Sequence, residues 1–304
     1  MNELKILAEG FGFAEGPVVM PDGAVALTDI RLGCIWRVAP DGTQTELTKT
    51  GGGPNGLALG PDGALYCCNN GGGLYQPGHF MGVGPAPDYA GGSIQRLDPR
   101  TGEVRTLYTE CDGHRLSAPN DLVFDRQGGF WFTDMGKRYD RRRDHGGLFY
   151  ALPDGSRIVE VAYPILSANG VGLSPDERVV YVADTEPARL WAFDIEAPGR
   201  VRKHPFPSPH GGRLVAGLPG YQRFDSLAVQ QNGDVCVATL VTGCITVIAP
   251  DGRVIRQVEL PDTHPTNICF GGPQRHTAYL TLSETGRLAA VEWAEQGLRL
   301  NFSP

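Results

Sequence analysis

Asn120-Asp-Leu-Val-Phe-Asp-Arg-Gln-Gly-Gly-Phe-Trp-Phe-Thr-Asp134 puts an amide at the head of a short apolar run, then a glycine-bearing turn, then a second apolar run. The pattern occurs five more times, opening at Glu15-Gly-Pro-Val-Val, Asn55-Gly-Leu-Ala-Leu, Asn169-Gly-Val-Gly-Leu, Asp225-Ser-Leu-Ala-Val and Asn267-Ile-Cys-Phe. Turns follow at Pro21-Asp-Gly, Pro61-Asp-Gly, Pro175-Asp-Glu, Gln231-Asn-Gly and Gly272-Pro-Gln. Proline pre-sets φ for a turn and glycine admits positive φ, so each opening strand is expected to hairpin into the next. A third strand is visible in Gly33-Cys-Ile-Trp-Arg-Val, Gly147-Leu-Phe-Tyr-Ala-Leu and Arg189-Leu-Trp-Ala-Phe-Asp. Further turns at Asp41-Gly, Asp154-Gly and Asp251-Gly lead to a fourth. Four strands per unit, with openings at 15, 55, 120, 169, 225 and 267, predict an all-β six-bladed propeller of four-stranded antiparallel blades around a central channel.

In such a blade the start of strand one, the loop from strand two to three and the entry into the next blade share one face. The polar openers therefore share a face with the long insertions at 69–93 and 135–146, and the irregular stretch 202–221 approaches it. Long loops in compact folds are commonly lids or binding loops. The alternation Leu4-Lys-Ile-Leu is expected to complete the last blade as its outer strand, removing an exposed edge. Residues 1–304 then form a single propeller domain.

The chain has 42 Gly and 24 Pro, in keeping with many short strands and turns, and a net charge of −7. Its cations are dispersed except for Arg141-Arg142-Arg143, which reads as a solvated loop, so nucleic acid is not expected as a partner. The N-terminal Met1-Asn-Glu-Leu-Lys-Ile lacks the basic start and apolar core of a signal peptide, and no apolar stretch is long enough for a membrane span. Seven cysteines in no disulfide-like spacing, most of them inside strand patterns (Cys34, Cys67, Cys236, Cys269), read as small core residues. A reducing, cytoplasmic location follows as the expectation.

Glu15, Asn120, Asn169 and Asp225 would bring two carboxylates and two amide oxygens to one axis. This is a hard-donor set suited to Ca²⁺, Mg²⁺ or Mn²⁺; Zn²⁺ more often recruits His or Cys, although it remains among the candidates. The alternative for each residue alone is a local turn cap, and for the set a structural ion in the channel. Asp29, Asp134 and Asp184, at the ends of second strands, read as turn caps, and Asp121 is expected to point away from the axis. A G-x-S-x-G elbow, an H-E-x-x-H helix, a P-loop and a dinucleotide fingerprint are all absent.

Phe13-Ala-Glu15-Gly-Pro, Ala118-Pro-Asn120-Asp-Leu with Phe132-Thr-Asp134, Ala168-Asn169-Gly-Val-Gly-Leu-Ser-Pro-Asp and Phe224-Asp225-Ser-Leu-Ala together resemble one family, along essentially the whole chain. It is that of gluconolactonase, senescence marker protein (regucalcin) and luciferin-regenerating enzyme, and the bacterial sugar-lactonase branch is the most similar. The resemblance implies one divalent cation in the channel, with Glu15, Asn169 and Asp225 as its ligands. It also implies Asn120 at the substrate and Asp225 as general base of a lactone hydrolysis in which the metal polarises the carbonyl. Where regucalcin-like members carry a substrate-binding Arg, this chain has Ala118; Arg115, Arg223, His114 or an insertion residue such as His79 are candidates to replace it. The expected substrate contacts are thus Asn120, Asn55, Arg115 and His79, and the expected substrate is a small sugar lactone. The alternatives are another metal-dependent hydrolase resembling diisopropyl fluorophosphatase, or a non-catalytic propeller scaffold.

Overall fold

The computed structural model describes residues 3–304; Met1 and Asn2, on which part of the N-terminal reading falls, lie outside the described residues. Six antiparallel sheets form the ring. Their innermost strands are Ala14–Val19, Pro54–Leu59, Pro119–Phe124, Ala168–Leu173, Arg223–Val229 and Pro265–Gly271. Each packs on the next, and the last packs on the first. Closure is made by Lys5–Glu9, which pairs antiparallel with Arg287–Glu292 and so becomes the outer strand of the sixth blade. The expected edge is thereby removed. Blade four departs from the four-stranded pattern: its third strand, Arg189–Ala197, pairs with both Arg200–Arg202 and Arg213–Gly217, so the stretch expected to be irregular is partly strand.

The core lies between blades, and this explains the near-continuous apolar strands. Successive residues of a strand face opposite sides. Phe130 and Phe132 therefore pack toward blade two with Tyr66 and Ile94, while Trp131 between them packs toward blade four with Val180 and Phe193. The other interfaces are filled in the same way, as where Ala26 and Ile35 meet Leu57 and Leu65, and Val25 and Leu27 meet Leu288. A strand buried on both faces has no polar alternation to show. Truncating Trp131, which is 1% exposed, should cost about 3–5 kcal/mol. Cys67 and Cys68 fall into two different interfaces, and all seven cysteines are free thiols. Among the described residues no helix is long and apolar enough to cross a membrane.

One end of the channel is covered by the C-terminal segment. Leu298, Leu300 and Phe302 line a partly open, mostly apolar cavity of about 100 Å³ there. Phe302 packs edge-on against Phe124, and the Asn301 amide donates to the Phe124 carbonyl at 3.0 Å.

Candidate functional site at the insertion end of the channel

The opening residues are held by two recurrent devices. First, in blades one to four the acid or amide ending the second strand accepts the N–H groups just ahead of the opener. Asp29 takes Gly12 and Phe13, Asn69 takes Gly53, Asp134 takes Ser117 and Ala118, and Asp184 takes Ser167. The turn-cap reading of these three aspartates is what the hydrogen bonds show. A bond to a charged acceptor contributes about 1.5–3 kcal/mol. Second, hydroxyls tie openers to the blade before them: Thr28 donates to the Asn55 carbonyl at 2.7 Å, Thr133 to that of Asn169, and Thr266 to that of Ala14 at 3.0 Å.

Every inner strand carries a register irregularity at its opener, as between Pro119 and Leu122. A bulge breaks strict alternation and re-aims side chains. It also brings neighbouring backbones together: a Cβ on Gly16 (φ +51°) would lie 2.3 Å from the Asn55 carbonyl oxygen, and one on Gly170 would lie 2.6 Å from the Leu227 nitrogen. This is why small residues so often follow the opener.

At the insertion end the channel widens into a cavity of about 240 Å³. Its floor carries Glu15, Asn55, Asn120, Asn169 and Asp225, one from each of five blades. Blade six is different. The register places Thr266 at the opener position, and Asn267 falls one residue further, where blade three has Asp121. Asn267 accordingly lines the cavity at the other end and reaches back, its amide donating to Glu15 Oε2 at 2.8 Å.

Asp121 also corrects an expectation. The bulge turns it toward the channel rather than away, where it feels the charge of Glu15 and acts in turn on Asp225. Three carboxyls are thus packed together at 2% (Glu15), 7% (Asp121) and 8% (Asp225) exposure. Burial pushes all three above the usual carboxylate range, Asp121 to about 8, and the charge of Glu15 adds to the effect on Asp121 and Asp225. Asn169 is fixed by its amide donating to Thr185 Oγ1 at 3.0 Å, and its Oδ1 accepts from Ser226 at 3.3 Å. The Oδ1 atoms of Asn55 and Asn120 are buried without a hydrogen-bond partner.

Mutually repelling buried carboxylates beside unpartnered amide oxygens are the surroundings a hard divalent cation would stabilise, so the donor set fits one. A second acidic group, Asp262 with His264 and Glu284, lies outside this cavity. Its carboxylates already accept from His264 N–H, Thr285 and Thr263.

The family described as SMP-30/Gluconolactonase/LRE-like region matches residues 13–284. The chain belongs to this family. A gluconolactonase of Zymomonas mobilis is 24% identical over 307 residues, covering 92% of this chain and 79% of that protein. The lactonase drp35 of Staphylococcus haemolyticus is 29% identical over 262 residues, covering 85% and 72%. A solved structure of a gluconolactonase from Xanthomonas campestris superposes with a TM-score of 0.76 at 23% identity, covering 96% of this chain and 89% of that one; at that identity it speaks for the fold alone.

Within this family frame, the insertions supply the rest of the cavity. The 69–93 insertion forms a small hairpin, Gly73–Leu74 with Gly84–Pro85, and lays Tyr75 and Met81 over the floor. Its Phe80 crosses to the far side, stacking on Phe13 of blade one (4.7 Å, 3°) and meeting His264 of blade six edge-on at 5.1 Å. Lys137, from the other insertion, donates to the carbonyls of Asn70 and Gly72 at 2.7 and 2.6 Å and lies over the Tyr89 ring. Burial brings this ammonium down to about 8, with Asp134 pulling the other way.

Two assigned contacts are placed elsewhere. His79 is exposed on the insertion, and Arg115, on a short hairpin, donates to the Ala90 carbonyl and borders a neighbouring groove; neither lines the floor cavity. The sequence reading missed Arg143 and Glu186. Arg141 and Arg142 are solvated as expected, but Arg143 turns inward to meet Glu186. The available signal was its position inside the 135–146 insertion.

Proposed function

We propose that the protein is a metal-dependent lactonase that opens a small sugar lactone to its aldonic acid. The reading rests on family membership, and the observation that carries it is the convergence of Glu15, Asn120, Asn169 and Asp225 on one cavity floor. Glu15, Asn169 and Asp225 would hold the cation, their charge and oxygen donors matching a hard divalent ion. When bound, such an ion supplies Lewis-acid polarisation of the lactone carbonyl.

The remaining work belongs to side chains. Asp225 takes the proton of the water that attacks the carbonyl carbon, a positioned transfer worth about 10²–10⁴-fold. The ring C–O bond breaks, and the same proton returns to the departing ring oxygen, leaving the open-chain acid. Asn120, whose Oδ1 lacks a partner, orients the attacking water or a substrate hydroxyl. Tyr75 and Met81 of the insertion cover the site and limit bulk water.

The test is elemental analysis of protein as purified, followed by pH-indicator assays on pentono- and hexonolactones after chelation and reloading with Ca²⁺, Mg²⁺, Mn²⁺ or Zn²⁺. Turnover abolished by chelation and restored by one of these ions is expected. Undiminished turnover in ion-free protein would refute metal dependence, and silence toward every lactone would refute the lactonase reading.

A further inference from the structure

The cavity wall carries more positive charge than its own carboxylates neutralise. Lys137, Arg138, Arg143 and Arg223 line it with Glu186, while the cavity's other two acids, Glu15 and Asp225, lie on the floor and are the groups that would be taken up by the cation. Lys137 is committed to the carbonyls of Asn70 and Gly72, and Arg138 makes no ion pair among the described residues. Glu186 is shared: Oε1 accepts from Arg143 Nη1 at 3.1 Å, and Oε2 forms an ion pair with Arg223 Nη2 at 3.0 Å. Two guanidiniums therefore flank one carboxylate.

The three side chains are only 19–25% exposed, so the surplus charge is weakly screened. Nearby acids do not absorb it. Asp184, which Arg143 feels, is occupied by the Ser167 N–H and hydroxyl, and Asp134 by the N–H groups of Ser117, Ala118 and Gly136. The Nε–H groups of both Arg143 and Arg223 are buried without an acceptor. A buried donor left unpaired costs about 1–3 kcal/mol, but Arg256 and Arg287, outside the cavity, share that state; what sets this pair apart is its place, two guanidiniums on a cavity wall sharing one carboxylate. A sugar hydroxyl could satisfy one N–H but would leave the charge; the guanidinium fork matches a carboxylate or phosphate in geometry and sign.

We propose that Arg143 and Arg223, bridged by Glu186, form an anion subsite, and that the lactone opened here carries a second, ionised group that docks on them. This rests on the lactonase reading for its reaction, but not for its binding.

The cation-loaded enzyme is assayed on neutral D-glucono-1,5-lactone, on the carboxylate-bearing D-glucaro-1,4-lactone and on 6-phospho-D-glucono-1,5-lactone. At least one anionic lactone should exceed the neutral one by about tenfold or more in kcat/KM, the factor set by about 1.4 kcal/mol. Which of the two leads distinguishes carboxylate from phosphate. The Arg143→Gln and Arg223→Gln variants should shrink that ratio through KM; two variants guard against one failing to fold.

Calorimetry with D-glucarate and 6-phosphogluconate against D-gluconate reads the subsite independently of turnover. Lactones opened without preference for charge, or variants that weaken all three substrates equally, overturn the subsite and leave the lactonase reading standing. A silent lactone panel with tighter binding of a dianion than of gluconate, lost in the variants, sinks the reaction and keeps the subsite.

Discussion

The floor of the cavity is supplied by inner strands that recur six times, whereas its wall comes from connections that occur once. On the floor, position is imposed by the fold: a bulge at every opener sets Glu15, Asn120, Asn169 and Asp225 facing one axis, second-strand caps brace the approach to the first three, and a hydroxyl from the preceding blade holds Asn169. On the wall, position is negotiated among a few side chains. Lys137 pins the 70–72 backbone, Phe80 bridges blades one and six, and Glu186 holds two arginines. The two regions also differ in charge, carboxylates below and guanidiniums above. Chemistry is therefore expected to follow the floor and substrate choice the wall.

The largest effect that would sharpen this division comes from Asp225→Asn. Turnover should fall by about 10²–10⁴-fold with the circular dichroism spectrum unchanged. A variant within threefold of the parent would remove Asp225 from the chemistry and with it the distinction drawn here.

A second, large effect is pH-dependent stability of the ion-free protein. Burial raises Glu15, Asp121 and Asp225 in the folded state, so the folded form holds their protons longer than the unfolded chain does. The stabilisation is complete below the ordinary carboxylate range and is lost as pH rises toward about 8, where Asp121 titrates. The melting temperature of chelated protein should therefore drop between pH 4 and pH 8 (an expected window from those raised values), and an added divalent cation should flatten the drop. A cation-independent profile would separate the carboxyls from any ion.

Lys137→Met tests the wall. Freeing the 70–72 backbone should raise KM by about tenfold, equivalent to about 1.4 kcal/mol, with a smaller change in kcat. An effect confined to kcat would instead place this lysine with the floor. The smallest effect is expected at Arg141→Ala, whose side chain is fully solvated beside Asp140: activity and melting temperature should stay at parental values. Its neighbour Arg143 is the contrast, adjacent in sequence but turned into the cavity.

The repeat made the ring legible, because short strands, Gly-bearing turns and a polar opener obey local rules that any blade must satisfy. It made five of the six openers legible for the same reason. Blade six was misread by one position, since Thr266 and Asn267 are both polar and only pairing to Thr281 and Leu282 fixes which is the opener. Asp121 was misread because alternation fails at a bulge, and a bulge is a property of two strands together. Arg115 and His79 were reasonable chemical types on loops, but loop direction is set by contacts made elsewhere, here with Ala90 and with solvent.

What the chain determined unaided is the number of blades, their closure through the Lys5–Glu9 strand, and the oxygen-rich character of the channel, because these depend on periodicity and on residue type. What only the tertiary structure decided is the third carboxylate, the inward turn of Arg143, and the pairing of two arginines on Glu186. Those follow from long-range packing, in which residues about 40 positions apart (143 with 186, and 186 with 223) are brought into contact by blades that local sequence cannot see.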